Sequence, residues 1–97
     1  MPLFAVTYRY VTDSDAARDA TRPEHRAYLG ELTDAGRLAL SGPFVGGEAG
    51  ALLVFEAPTE DAAIALTDAD PFVTAGLVAE VTVREWQTVS GRLAQHV

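Results

Sequence analysis

Ala51-Leu52-Leu53-Val54-Phe55 is an unbroken apolar run, the pattern of a strand buried on both faces. Its counterpart is Leu3-Phe4-Ala5-Val6-Thr7-Tyr8-Arg9-Tyr10, β-branched and aromatic, bounded by Pro2 and the polar run Thr12-Asp13-Ser14-Asp15. Phe4, Val6, Tyr8 and Tyr10 share one face of that strand, while Leu3 and Ala5 make the other face apolar too. Two further strands read less apolar. Arg37-Leu38-Ala39-Leu40-Ser41 is ended or bent by Gly42-Pro43, because proline cannot donate to a ladder. Leu77 to Thr88 alternates Val81 and Val83 with Glu80, Thr82 and Arg84. The glycine-rich Val45-Gly46-Gly47-Glu48-Ala49-Gly50 reads as a hairpin loop, since a strand and not a helix follows it.

Between the strands lie the helices. Thr21 and Glu24 are spaced as a capping box, and Pro23 suits a first helical turn, where its missing N–H is harmless. These signals predict a helix from Thr21 to Gly36, with His25 in its first turn. Its stripe of His25, Tyr28, Leu29, Leu32 and Ala35 faces the core. Asp13 to Ala20 reads as a loop with room for one helical turn. Pro58-Thr59-Glu60-Asp61 opens a second helix, packing through Ala62, Ala63, Leu66 and Ala69. Asp70-Pro71-Phe72-Val73-Thr74-Ala75-Gly76 reads as a further short helical turn.

The order is β-α-β-β-α-β, the ferredoxin-like α+β plan with a four-stranded antiparallel sheet, as one domain over 1–97 with a tail from about residue 89. In that topology the first and third strands are central, and these are the two that are apolar on both faces. Helices can cover only one face of a single sheet. A second copy, sheet against sheet, is the expected cover, so the pattern argues for a homodimer.

Composition narrows the chemistry. The 97 residues carry a formal charge of −7, which argues against binding nucleic acid or an anionic membrane. No stretch approaches the length of a transmembrane helix, and no secretory signal is read at the N-terminus. The absence of cysteine excludes thiol chemistry and fits a cytoplasmic protein. Lysine is absent too, so a Schiff base is excluded. No metal or cofactor is expected, because one interior histidine and scattered acids give no ligand spacing. His96, near the C-terminus, reads as solvated, and Trp86 as a core or dimer contact.

What remains is an acid–base pair. His25 has a bland reading, a half-buried histidine bonded to a loop, and Asp70 before Pro71 is an ordinary helix N-cap. The roles can coexist, since a carboxylate that caps can also orient an imidazole. If they pair, a ring nitrogen should lie within about 3.2 Å of an Asp70 oxygen or be linked to it through one water. Arg9 and Arg22 could meet a carboxylate substrate near His25, although surface ion pairing is the default for both.

His25 followed by Tyr28-Leu29, then Leu40-Ser41-Gly42-Pro43-Phe44, then Asp70-Pro71-Phe72, resembles the YCII-related (YciI-like) family, in order over nearly the whole chain to the Trp86 region. The resemblance implies a ferredoxin-like domain paired into a dimeric α+β barrel, similar to muconolactone isomerase. It implies His25 and Asp70 as the active-site pair, and Ser41, Gly42 and Pro43 as pocket residues. An enzyme on this plan would move protons without a cofactor, in an isomerisation or an elimination of halide or water. His25 would be base then acid, Asp70 its orienting partner, and Ser41 with nearby backbone N–H groups would hold an oxygen. The competing classes are a protein that binds a small metabolite without turnover and an accessory or interaction subunit.

Overall fold

The computed structural model describes residues 1–96, and four strands form in it: β1 (Leu3–Tyr10), β2 (Leu38–Pro43), β3 (Gly50–Glu56) and β4 (Val78–Trp86). They make one sheet in the order β2-β3-β1-β4, antiparallel throughout. The two runs that are apolar on both faces are therefore the central strands. Register puts Val6 opposite both Leu53 and Val83, and Tyr8 opposite both Ala51 and Val81.

Three α-helices stand among the described residues: α1 (Asp15–Asp34), α2 (Glu60–Asp68) and the one-turn α3 (Pro71–Thr74). They lie on the sheet face that carries Val6, Tyr8, Tyr10, Leu53 and Phe55, and Leu32 and Phe72 close the main core against it. A second cluster, Phe4 with Ala57 and Ala63, is covered by α2. Each large side chain fully buried in this way contributes about 1.5–3 kcal/mol. The fold is thus α+β and ferredoxin-like. Among the described residues no helix is long and apolar enough to cross a membrane. Of the tail read as 89–97, Ala94–His96 forms one 3₁₀ turn, and Val97 lies outside the described residues.

The start of α1 differs from the sequence reading. The helix opens at Asp15 with Ser14 as its N-cap, six residues before Thr21, so Thr21 caps nothing and Pro23 sits inside the helix. His25 is consequently in mid-helix and not in a first turn. Local signals misled because Thr-x-x-Glu with an interposed proline imitates a start. What extends the helix is Asp15-Ala16-Ala17-Arg18-Asp19-Ala20: three alanines, with ion pairs Asp15–Arg18 and Asp19–Arg22 at i,i+3. Docking adds to this, for Ser14 is buried and the Arg18 guanidinium lies 4.4 Å over the Tyr10 ring.

The C-terminal ends do follow the sequence. Gly36, at φ +74°, lets the Gly36 N–H reach the Thr33 carbonyl and the Arg37 N–H reach the Leu32 carbonyl, a Schellman closure that turns the chain into β2. Gly76 repeats the arrangement after α3, where it aims the chain into β4. Ala35 is the C-cap residue of α1 and is exposed, so the apolar stripe stops at Leu32.

Candidate active site

Asp70 is the N-cap of α3, as its place before Pro71 predicts. Its Oδ1 accepts the Phe72 N–H at 2.9 Å. The residue is 0% exposed, held where the end of α2 turns into α3 beneath α1. A buried carboxylate needs donors on its lone pairs, and three are present. Beside the Phe72 N–H, the His25 Nδ1–H reaches Oδ1 at 2.7 Å and the Tyr8 hydroxyl donates to Oδ2 at 2.8 Å. Among the described residues no buried side-chain nitrogen or oxygen is left without a partner.

An ionised carboxylate is acceptor-only, so this pattern assigns the hydrogen to Nδ1 of His25 and leaves Nε2 with a free lone pair. The imidazole is fixed in plane as well as in tautomer. It stacks on Phe72 with centroids 3.9 Å apart and planes 7° from parallel, and Tyr10 meets Phe72 edge-on at 5.7 Å. Tyr8 is the group most changed by its surroundings. Burial first, then the Asp70 charge and hydrogen bond, push its phenol far above the ordinary range, so it remains a neutral donor. Tyr10 and Tyr28 are also raised, chiefly by burial. The Tyr28 hydroxyl ties α1 to α2 through the Leu66 carbonyl at 2.6 Å.

His25 opens onto a cleft of about 290 Å³. Its walls come from α1, α3 and the sheet: Arg22 and His25 of α1, Ser41, Gly42 and Pro43 of β2, and Tyr10, Leu53 and Phe72 all line it. The structure therefore brings His25, Ser41, Gly42, Pro43 and Arg22 to one hollow, with Asp70 directly behind the imidazole. Arg9 is not among them. Strand alternation puts Arg9 on the opposite face from Tyr8 and Tyr10, where it meets Glu48 at 3.6 Å and Glu80 at 3.8 Å.

Sequence reasoning missed Tyr8 as a partner of Asp70, and Arg18 and Arg26 as cleft residues. The spacing Arg18, Arg22, Arg26 is an i, i+4, i+8 row that one helix face would display. Only the helix start placed at Thr21 hid it. Among the described residues no group of three histidines or acids stands close enough to hold a metal ion.

Fold and site together describe a ferredoxin-like α+β domain with a histidine–carboxylate pair beside a small cleft. Among solved structures, the chain is similar to 5-chloro-2-hydroxyhydroquinone dehydrochlorinase (TftG) from Burkholderia phenoliruptrix, in complex with 2,5-dihydroxybenzoquinone. The TM-score is 0.81 at 27% identity, covering 90% of this chain and 95% of that one. A NIPSNAP domain protein from Burkholderia xenovorans shares the fold alone, with a TM-score of 0.54 at 16% identity, covering 95% of this chain and 96% of that one. The chain belongs to the YCII-related domain family, whose model matches residues 3–87. Protein YciI of Escherichia coli and of Shigella flexneri are each 33% identical to it over 96 residues, covering 90% of this chain and 98% of theirs.

Proposed function

We propose that the cleft is a cofactor-free acid–base site that moves a proton on a small molecule, in an elimination or an isomerisation. The observation that carries this reading is the wholly buried Asp70, whose bond to Nδ1 leaves Nε2 of His25 as a base at the cleft. In an elimination, Nε2 takes a proton from a ring hydroxyl or carbon. On an aromatic ring the proton is first returned to the carbon that bears the leaving group, giving the keto tautomer. Loss of a second hydroxyl proton to Nε2 then expels halide from that saturated carbon and leaves the quinone. Where hydroxide is the leaving group, His25 hands it that proton and it departs as water. In an isomerisation the same proton returns to a different carbon. Asp70 stabilises the imidazolium between the two transfers, Tyr8 holds Asp70, and Ser41 is placed to hold a substrate oxygen. The similar dehydrochlorinase supports the elimination branch, because its reaction is the loss of chloride from a hydroxylated ring. The working unit of this reading is a homodimer joined through the helix-free sheet face, with the cytoplasm as its compartment.

The test is chloride release from 5-chloro-2-hydroxyhydroquinone, together with solvent-deuterium exchange into ring positions. His25→Gln should lower the rate by about 10²–10⁴-fold, and Asp70→Asn should lower it with the substrate's KM little changed. A wild-type protein that releases no chloride and exchanges no proton returns the cleft to a binding site.

A further inference from the structure

We infer that the cleft carries an anion subsite, formed by Arg18, Arg22 and Arg26 of α1, for the ionised oxygens of a small planar ring. This rests on the acid–base reading for the ring's reacting position but on separate residues. The chain has 14 acidic and 7 basic residues, yet three of those seven bases line this one cleft and, among the described residues, no carboxylate side chain does. A protein of net charge −7 repels anions at long range. A local reversal of sign is the arrangement that concentrates an anion at one place on such a surface.

The arginines are also prepared for that role. Arg18 is held by its Nε to the Ser14 hydroxyl at 3.0 Å, by an Nη to Asp15 at 2.5 Å, and by the Tyr10 ring beneath it. Arg22 is tethered to Asp19 through one Nη, and Arg26 makes no ion pair among the described residues. Asp15 and Asp19 do not line the cleft and are 92% and 70% exposed, so they steady the guanidinium groups while offsetting part of their charge, and Arg26 is the cation of the row with no ion-pair partner among the described residues. Five donors on each guanidinium leave N–H groups for a ligand. Successive members of the row are about 6 Å apart along the helix, close to the width of a six-membered ring.

Shape agrees with charge. The parallel His25–Phe72 stack and the edge-on Tyr10 line the cleft with aromatic rings. A volume of about 290 Å³ is at the lower limit of ligand pockets, near 300 Å³, and a benzene ring needs only about 150 Å³. A single ring with its substituents fits that volume. The class is a carboxylated, phenolic or enolic ring in its anionic form. His25 shares the helix face of Arg22, three residues away, so an anchored ring presents its neighbouring positions to Nε2.

Calorimetric titration with 2,5-dihydroxybenzoquinone, an acidic ring, against its neutral di-O-methyl ether, which keeps the ring and all four oxygens, tests the subsite. The acidic ring should bind more tightly, and its affinity should fall as salt is raised. Arg22→Gln should weaken it roughly tenfold and Arg26→Gln severalfold, whereas Arg37→Gln, which removes one charge outside the cleft, should leave it unchanged. Equal affinity for both rings, no binding of the acidic ring, or an equal loss in Arg37→Gln would overturn the inference. His25→Ala separates the two readings. If it keeps anion affinity while no ring is turned over even by wild type, the subsite stands and the acid–base reading falls. If turnover occurs but is indifferent to ring charge and to Arg22→Gln, the acid–base reading stands and the subsite falls.

Discussion

Asp70 concentrates the energetics of the site in one side chain. It accepts from a helix N-terminus, an imidazole and a phenol, all at 2.7–2.9 Å and shielded from water. Tyr8 is the partner whose removal is cleanest, because Phe keeps the packing and deletes only the donor. Tyr8→Phe should cost about 1.5–3 kcal/mol, the usual range for a hydrogen bond to a charged group, as read by urea unfolding. The same residue dictates alkaline behaviour. Its folded pKa is raised, so above about pH 10 the unfolded chain loses a proton that the folded chain keeps. Stability is therefore full below about pH 10 and falls above it, by up to about 1.4 kcal/mol per pH unit from Tyr8. Tyr10 and Tyr28 add in the same direction. Tyr8→Phe should make that fall shallower, and an unfolding free energy flat to about pH 11 would contradict the assignment.

At the scale of elements, α1 is where local and tertiary signals disagree. Pro23 inside the helix removes the donor to the Asp19 carbonyl and crowds the preceding turn, at a cost of about 3 kcal/mol in an unconstrained helix. Pro23→Ala should therefore raise the melting temperature, with a gain of about 1–3 kcal/mol. Thr21→Ala, in the helix interior and not at its cap, should stay within about 0.5 kcal/mol of wild type. A loss near 1 kcal/mol for Thr21→Ala would mean that the helix begins where the capping-box signal says. The strands were legible because a β-branched run and a proline or glycine stop are local facts, as are the Asp70 cap and the Gly36 exit. The first turns of α1 were not. They depend on Ser14 being buried and on Arg18 finding Tyr10, contacts that no window of sequence contains. For the same reason alternation told which side of the sheet Tyr8 faces but not that Asp70, 62 residues on, would meet it.

At the scale of the molecule, the helices and the site occupy one side of the sheet, and the other side carries apolar surface open to solvent. Leu40, Leu52 and Trp86 are 53%, 36% and 46% exposed. Beside them a hollow of about 550 Å³ runs between the sheet and the tail, lined by Leu40, Val54, Trp86, Val89 and Leu93. The chain exposes 6022 Å² in all, whereas a monomeric protein of 10.3 kDa is expected to expose about 5,400 Å². The open sheet face with Leu40, Leu52 and Trp86 is the surface proposed to pair, and a standard interface buries roughly 800 Å² per partner. Light scattering at micromolar concentration should accordingly give about twice the 10.3 kDa chain mass. Leu52 lies between Thr7 and Gly42 in register, at the middle of the open face. Leu52→Asp should give a monomer that still folds, since its side chain is outside the helix-side core, with Trp86 emission shifted to the red. The cleft is on the opposite side of the sheet, so the monomeric variant should keep its affinity for an acidic ring. A wild-type monomer, or an L52D variant that still dimerises, would mean that this face serves some other contact.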